Sequence, residues 1–131
     1  MATFVVDGGL DIVTNRLKGA GTEPLNIGWG TGAGTTTRTD TTLFTEKLVD
    51  LTTSAGTDHT AGTSTRQTTT TTNDTYQVVG TRTATGAGTV TNAGLFDAAS
   101  GGNLFLKGDF TGIGLAIGDS IQFTIKAIFD N

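Results

Sequence analysis

The alternation of apolar and polar residues is clearest over residues 120–130. Ile121, Phe123, Ile125, Ala127 and Phe129 fall on one side there, and Gln122, Thr124, Lys126 and Asp130 on the other. A period of two marks a half-buried β-strand, because the 3.6-residue turn of a helix would scatter these positions around its surface. Leu104, Leu106 and Phe110 repeat the pattern with Lys107 and Asp109 opposite, and residues 90–96 give a third strand. Residues 97–103 are too polar and glycine-rich to continue it. The pattern predicts that these three strands are antiparallel neighbours and that the rest of the chain forms a second layer over them.

Upstream, residues 63–72 and 75–85 read as an antiparallel hairpin joined at Asn73-Asp74. The five consecutive threonines at 68–72 suit a strand, since β-branched side chains pack well on a pleated surface. In the second arm of the hairpin Tyr76, Val78, Arg82 and Ala84 share one face. Residues 24–29 read as a strand that leads into a long Thr/Gly loop, and residues 41–49 have no clear period. The predicted helix covers residues 10–18. Leu10, Val13 and Leu17 lie at i, i+3 and i+7, Asp11 sits near the start, and Arg16 and Lys18 near the end. Gly19 or Gly21 is expected to stop it, and so short a helix must pack on the sheet to persist. The apolar start, residues 1–6, is interrupted by Asp7-Gly8-Gly9. It reads either as an edge strand or, over residues 1–9, as an arm that leaves the body and docks on a partner. Together these elements predict an all-β fold: one antiparallel β-sandwich domain over residues 1–131, jelly-roll-like, with one short N-terminal helix.

Composition narrows the function classes. A chain of 131 residues supports one core and should bury roughly two-thirds of its unfolded surface. The net charge is −4, and the eight basic residues are scattered from Arg16 to Lys126. That disfavours nucleic acid, which calls for clustered Lys and Arg. With no cysteine, disulfides, thiolate metal sites and cysteine nucleophiles are excluded. No apolar run approaches the ~20 residues of a membrane span, and no basic-then-apolar signal precedes the domain, so the start reads as a mature N-terminus. Roughly thirty threonines keep a sheet's wet face polar without charge. Seven Phe and one Trp argue against disorder.

No constellation of catalytic residues is legible. Glycines at 28, 30, 32 and 34 superficially suggest a phosphate loop, but no Lys-Ser/Thr follows them, and the dinucleotide pattern also fails. His59 beside Asp58 could be half of a catalytic or zinc site. Nothing at ligand spacing joins it, so a solvated surface histidine is expected. Ten of the twelve acidic residues are Asp, mostly at turns, where Asp bonds nearby amides. Neither a calcium loop nor a placed carboxylate pair can be read from them. The expectation is no enzyme, no cofactor and no metal.

Two stretches carry a family resemblance. One is Ile27-Gly28-Trp29-Gly30-Thr31-Gly32, followed by a Thr-rich spacer and Leu43-x-x-Glu46. The other is Val90-Thr91-Asn92-Ala93-Gly94-Leu95-Phe96-Asp97-Ala98-Ala99-Ser100-Gly101-Gly102-Asn103-Leu104, with its closing alternating strand. From about residue 10 onward the chain resembles small virion proteins of tailed bacteriophages, the head decoration (cement) proteins. Similar segments also occur in tail fibres. In that family an Arg usually follows the Leu-x-x-Glu, and here Lys47 is the only base nearby. The resemblance implies a β-sandwich or jelly-roll-like fold and a structural role on the outer surface of the capsid, after assembly in the host cytoplasm. The partner would be the major capsid protein, with contacts between capsid subunits stabilised by a homo-oligomer, a trimer or dimer, through multivalency. Neither nucleic acid nor membrane is expected as a partner. Partner contacts are expected at Phe4, Val5 and Val6, then at Trp29 and Tyr76, with simple core packing as the other reading of each. The alternative is a tail-fibre or tail-associated module that binds a host-surface carbohydrate. A soluble carbohydrate-binding module outside any virus is a third reading.

Overall fold

The computed structural model describes residues 3–53 and 56–129. In chain order its elements are β1 (Thr3–Val5), α1 (Asp7–Lys18), β2 (Asn26–Gly30), β3 (Glu46–Lys47), β4 (Thr60–Ala61), β5 (Thr63–Gln67), β6 (Thr75–Thr83), β7 (Gly88–Phe96), β8 (Leu104–Leu115) and β9 (Ser120–Ile128). The strands form two packed antiparallel sheets, an all-β sandwich with one short helix. One sheet runs β1-β8-β7-β2-β3, with β4 also pairing β2; the other runs β5-β6-β9.

The core between the sheets is built mostly from the alternating positions. At the start of β8 an irregularity in the pairing with β7 sends Leu104 to a second core, away from Leu106, with which it was expected to share a face. Ile27 and Trp29 of β2, Val90, Ala93 and Leu95 of β7, and Phe105 and Leu106 of β8 meet Val78, Phe123 and Ala127 of the opposite sheet. The inward row of β9 matches its sequence pattern, with Phe123 and Ala127 buried and Gln122, Thr124 and Lys126 exposed. The β5–β6 hairpin also forms, with Thr63 opposite Val79 and Gln67 opposite Thr75.

β2 differs from the other strands in that all five of its residues are buried. Trp29 points into the core, while Gly28 and Gly30 point to the outer face of the sheet. There the segment 31–45 folds back and lies directly on the strand. A Cβ at Gly30 would overlap the Phe44 carbonyl and meet the Asn92 amide at 2.9 Å, and one at Gly28 would meet the His59 and Phe96 rings at 2.9 Å. The covering segment is tied down by polar groups of β7 and β8. Asn92 accepts from the Phe44 N–H and donates to the Phe44 carbonyl, both at 3.0 Å, as a neighbouring strand would. Asp109 accepts from the Thr36 N–H at 2.9 Å. Lys107 donates to Asp40 and to the Thr42 carbonyl, both at 2.9 Å, and its ammonium lies 3.2 Å from the centre of the Phe44 ring. Under this cover Val6, Leu43, Phe96 and Leu104 form a second, smaller core.

Four expectations are corrected. First, β9 is not a neighbour of β8; it pairs along its whole length with β6. The tight turn at residues 116–119, with Gly118 at φ +90°, bonds to Ala84 at the end of β6 from both sides, which carries the chain into the other sheet. Second, residues 68–72 are a loop rather than a strand. The Asp74 carboxylate accepts the N–H groups of Thr69, Thr70 and Thr71, and so takes backbone donors that a ladder would need. Third, Asp7, Gly8 and Gly9 do not break the chain but form the first turn of α1, which ends at Gly19 in the left-handed conformation. Fourth, Lys107 lies opposite Leu106 as expected, yet it is fully buried beneath the covering segment.

Two predictions follow from these contacts. Gly30→Ala should lower the unfolding free energy by about 2 kcal/mol or more, since the backbone atoms it meets cannot swing aside. Gly114→Ala, with nothing within 4 Å, should stay within ~0.5 kcal/mol; urea denaturation midpoints of the two variants check both. The second prediction concerns acid. The amides of Thr71, Thr69 and Thr70 and the Thr75 hydroxyl hold the Asp74 carboxyl far below its ordinary 3.8. Burial pushes Asp40 up, but Lys107 and Thr37 outweigh it and leave this carboxyl lowered as well. Groups lowered on folding stabilise the native state above their unfolded value and lose that contribution as pH falls through the folded one. Midpoints should therefore hold from neutrality to about pH 4 and fall below it, with a shallower fall in Asp74→Asn.

Candidate functional site

The five residues expected at a partner contact occupy different environments. Val6 is buried in the small core, its N–H donating to the Phe105 carbonyl. Val5 is half-buried against the main core. Trp29 is fully buried; its indole N–H donates to the Leu48 carbonyl at 2.9 Å, Phe123 meets it edge-on, and the Arg82 guanidinium lies 4.9 Å from the ring centre. Tyr76 is half-buried and donates its hydroxyl to Glu23 at 3.1 Å or to the Pro24 carbonyl at 3.2 Å; burial first, and then Glu23, push its phenol well above the ordinary range. Phe4 alone of the five is an exposed large side chain. For Trp29 and Val6 the core-packing reading therefore holds, in place of a partner contact. The arm reading is corrected: β1 pairs with β8, with Thr3 opposite Gly108 and Val5 opposite Leu106.

Among the described residues, five of the eight exposed large apolar side chains, Phe4, Leu10, Leu17, Ile128 and Phe129, lie around α1 or line its grooves; Val49, Ile113 and Ile117 are exposed elsewhere. A Cβ on Gly9 would overlap the Phe105 carbonyl, so the glycine lets the helix backbone sit directly on β8, and Ile12 completes the contact. This docking turns the predicted stripe outward: Leu10 is 56% exposed and Leu17 83% exposed. A groove on one flank is lined by Ile12, Val13, Leu17, Tyr76, Phe105 and Phe129. A groove on the other flank is lined by Phe4, Val5, Leu10, Leu106, Lys126 and Ile128, among others. Both grooves reach the end of β9, where Ile128 and Phe129 are about half exposed. The sequence marks Leu10 and Leu17 as a stripe but not its direction, which Gly9 decides; Phe129 was expected on the inward row.

The one histidine is not solvated. Its ring stacks on Phe96 at 3.9 Å and 10°, Nε2 lies 2.6 Å from Glu46 Oε1, and Nδ1 lies 2.8 Å from the Ala98 carbonyl. Nδ1 faces a carbonyl and therefore donates. Nearby, Arg82 is buried, with Nη1 bonded to the Ile27 and Asp58 carbonyls and to the Thr60 hydroxyl. Its Nε and Nη2 have no partner. Burial lowers the guanidinium to about 10, against the attraction of Glu46 and Asp58. Asp50, Asp58 and His59 line the cleft beside it, and these carboxylates disfavour an added anion. Among the described residues no three His, Cys, Asp or Glu side chains gather as metal ligands.

The division between core and surface predicts opposite responses to substitution. Trp29→Ala should cost about 3–5 kcal/mol of stability. Leu10→Ser and Leu17→Ser should each change it by less than ~0.5 kcal/mol, read from the same denaturation curves.

Comparison with protein-family models, with curated proteins and with solved structures finds no match to this chain.

Proposed function

We propose that this protein is a capsid decoration, or cement, protein: it binds the outside of a phage head through the major capsid protein and stabilises contacts between capsid subunits. The observation that carries this reading is the apolar surface around α1, where Leu10, Leu17 and Phe129 stand in solvent beside two grooves. A contiguous apolar patch of this kind on a folded domain marks a surface that meets another macromolecule. The helix is firmly seated, so it would bind as a preformed ridge with little ordering cost. The resemblance of the Gly-Trp-Gly and Ala-Gly-Leu-Phe-Asp stretches to decoration proteins supplies the kind of partner. A sandwich with a charge-poor, threonine-rich exterior suits close packing on a protein shell, where unpaired charges would be costly to bury.

The test is co-sedimentation with purified heads assembled without the chain. The wild-type protein should pellet with the heads at saturating, shell-wide stoichiometry. Full burial of a Leu or Phe side chain is worth about 1.5–3 kcal/mol, so Leu17→Asp and Phe129→Asp should each weaken attachment by at least ~10-fold. Thr81→Asp, on the exposed face of β6, should leave attachment unchanged. Absence of wild-type binding, or equal binding by all variants, would contradict the reading.

A further inference from the structure

β9 is a nine-residue strand bonded to β6 from Ser120 through Ile128 in unbroken register. Among the described residues its other edge pairs with nothing. A strand edge left open exposes a row of N–H and C=O groups that can template another chain, and folded proteins usually blunt such edges with charges, proline, bulges or short length. The other outer strands of the two sheets are short: β1 has three residues, β3 two, and β5 five, one of them Arg66. β9 has no proline, no glycine and no bulge, and Lys126 is its only charge.

The geometry points to a second copy of this chain as the occupant: we propose that β9 pairs antiparallel with β9 of another molecule across a two-fold axis at Thr124. The strand's own sequence selects that register. An odd slip would set the inward row of one copy against the outward row of the other. Of the even registers, the one centred on Thr124 pairs all nine residues and leaves none overhanging. It places Phe123 opposite Ile125 and Ile121 opposite Ala127, aromatic and aliphatic pairs that extend the core row. On the wet face Thr124 meets Thr124, and each Lys126 meets Gln122. A register centred on Lys126 would oppose the two lysines and lose pairs at one end, at a cost on both counts. The product is a continuous six-stranded sheet, β5-β6-β9-β9-β6-β5, closed by an isologous interface. The pairing does not depend on the capsid reading, because it is a property of the isolated protein in solution.

Sedimentation velocity on the purified full chain tests it. The wild type should run as a dimer, dissociating on dilution. Thr124 is exposed on the outer face of β9, so Thr124→Lys and Thr124→Glu should keep the β-sheet circular dichroism signal. Each should weaken the dimer by at least ~10-fold through like charges set opposite each other. An equimolar mixture of the two should restore the dimer, a rescue that a misfolded chain cannot give. Gln122→Glu, which sets a carboxylate against each Lys126, should tighten it. A wild type that stays monomeric, a dimer untouched by both Thr124 variants, or a mixture that fails to re-form it would overturn the proposal. Loss of the dimer with head attachment intact, or the reverse, separates this pairing from the capsid contact.

Discussion

The fold depends on one strand being dry on both faces. β2 carries a tryptophan between two glycines, and the two residue types do opposite things. The indole fills the space between the sheets, held by the Leu48 carbonyl and the Phe123 edge. The glycines remove side chains from the other face: Gly30 lets a fifteen-residue segment without regular structure lie against the sheet, and Gly28 makes room for the His59 and Phe96 rings. An ordinary half-buried strand would put polar side chains there and hold that segment off. With the segment in place, Asn92 and Lys107 are buried and Asp109 is partly covered. They become the posts that satisfy its backbone, as buried polar groups require.

The same principle of backbone contact through glycine orients the helix. Gly9 lets α1 approach β8 so closely that only Ile12 and a half-buried Val13 are needed to seat it. The leucines on its remaining surface are left in water. The helix therefore carries an apolar ridge with a groove on either side.

Much of the architecture was legible in the chain. The row Ile121, Phe123, Ile125, Ala127 and the row Tyr76, Val78, Arg82, Ala84 were visible because each strand has one wet face, which imposes a period of two. What could not be read were properties that belong to pairs of distant segments. The partner of β9 is set by a turn that bonds to Ala84, over thirty residues upstream. His59 looks isolated in the sequence because Glu46, Phe96 and Ala98, which it meets in space, are far from it along the chain. The five threonines read as strand by propensity, but one aspartate captures their amides locally. Trp29 was open to two readings, partner contact or core packing, and its environment shows the second.

The proposed role rests on surface contact through a preformed ridge. Imaging of intact particles that contain the chain tests this most directly. The account predicts density for many copies over the outside of the head, each with α1 turned toward the shell. A few copies confined to the tail, or copies bound with α1 facing solvent, would contradict it.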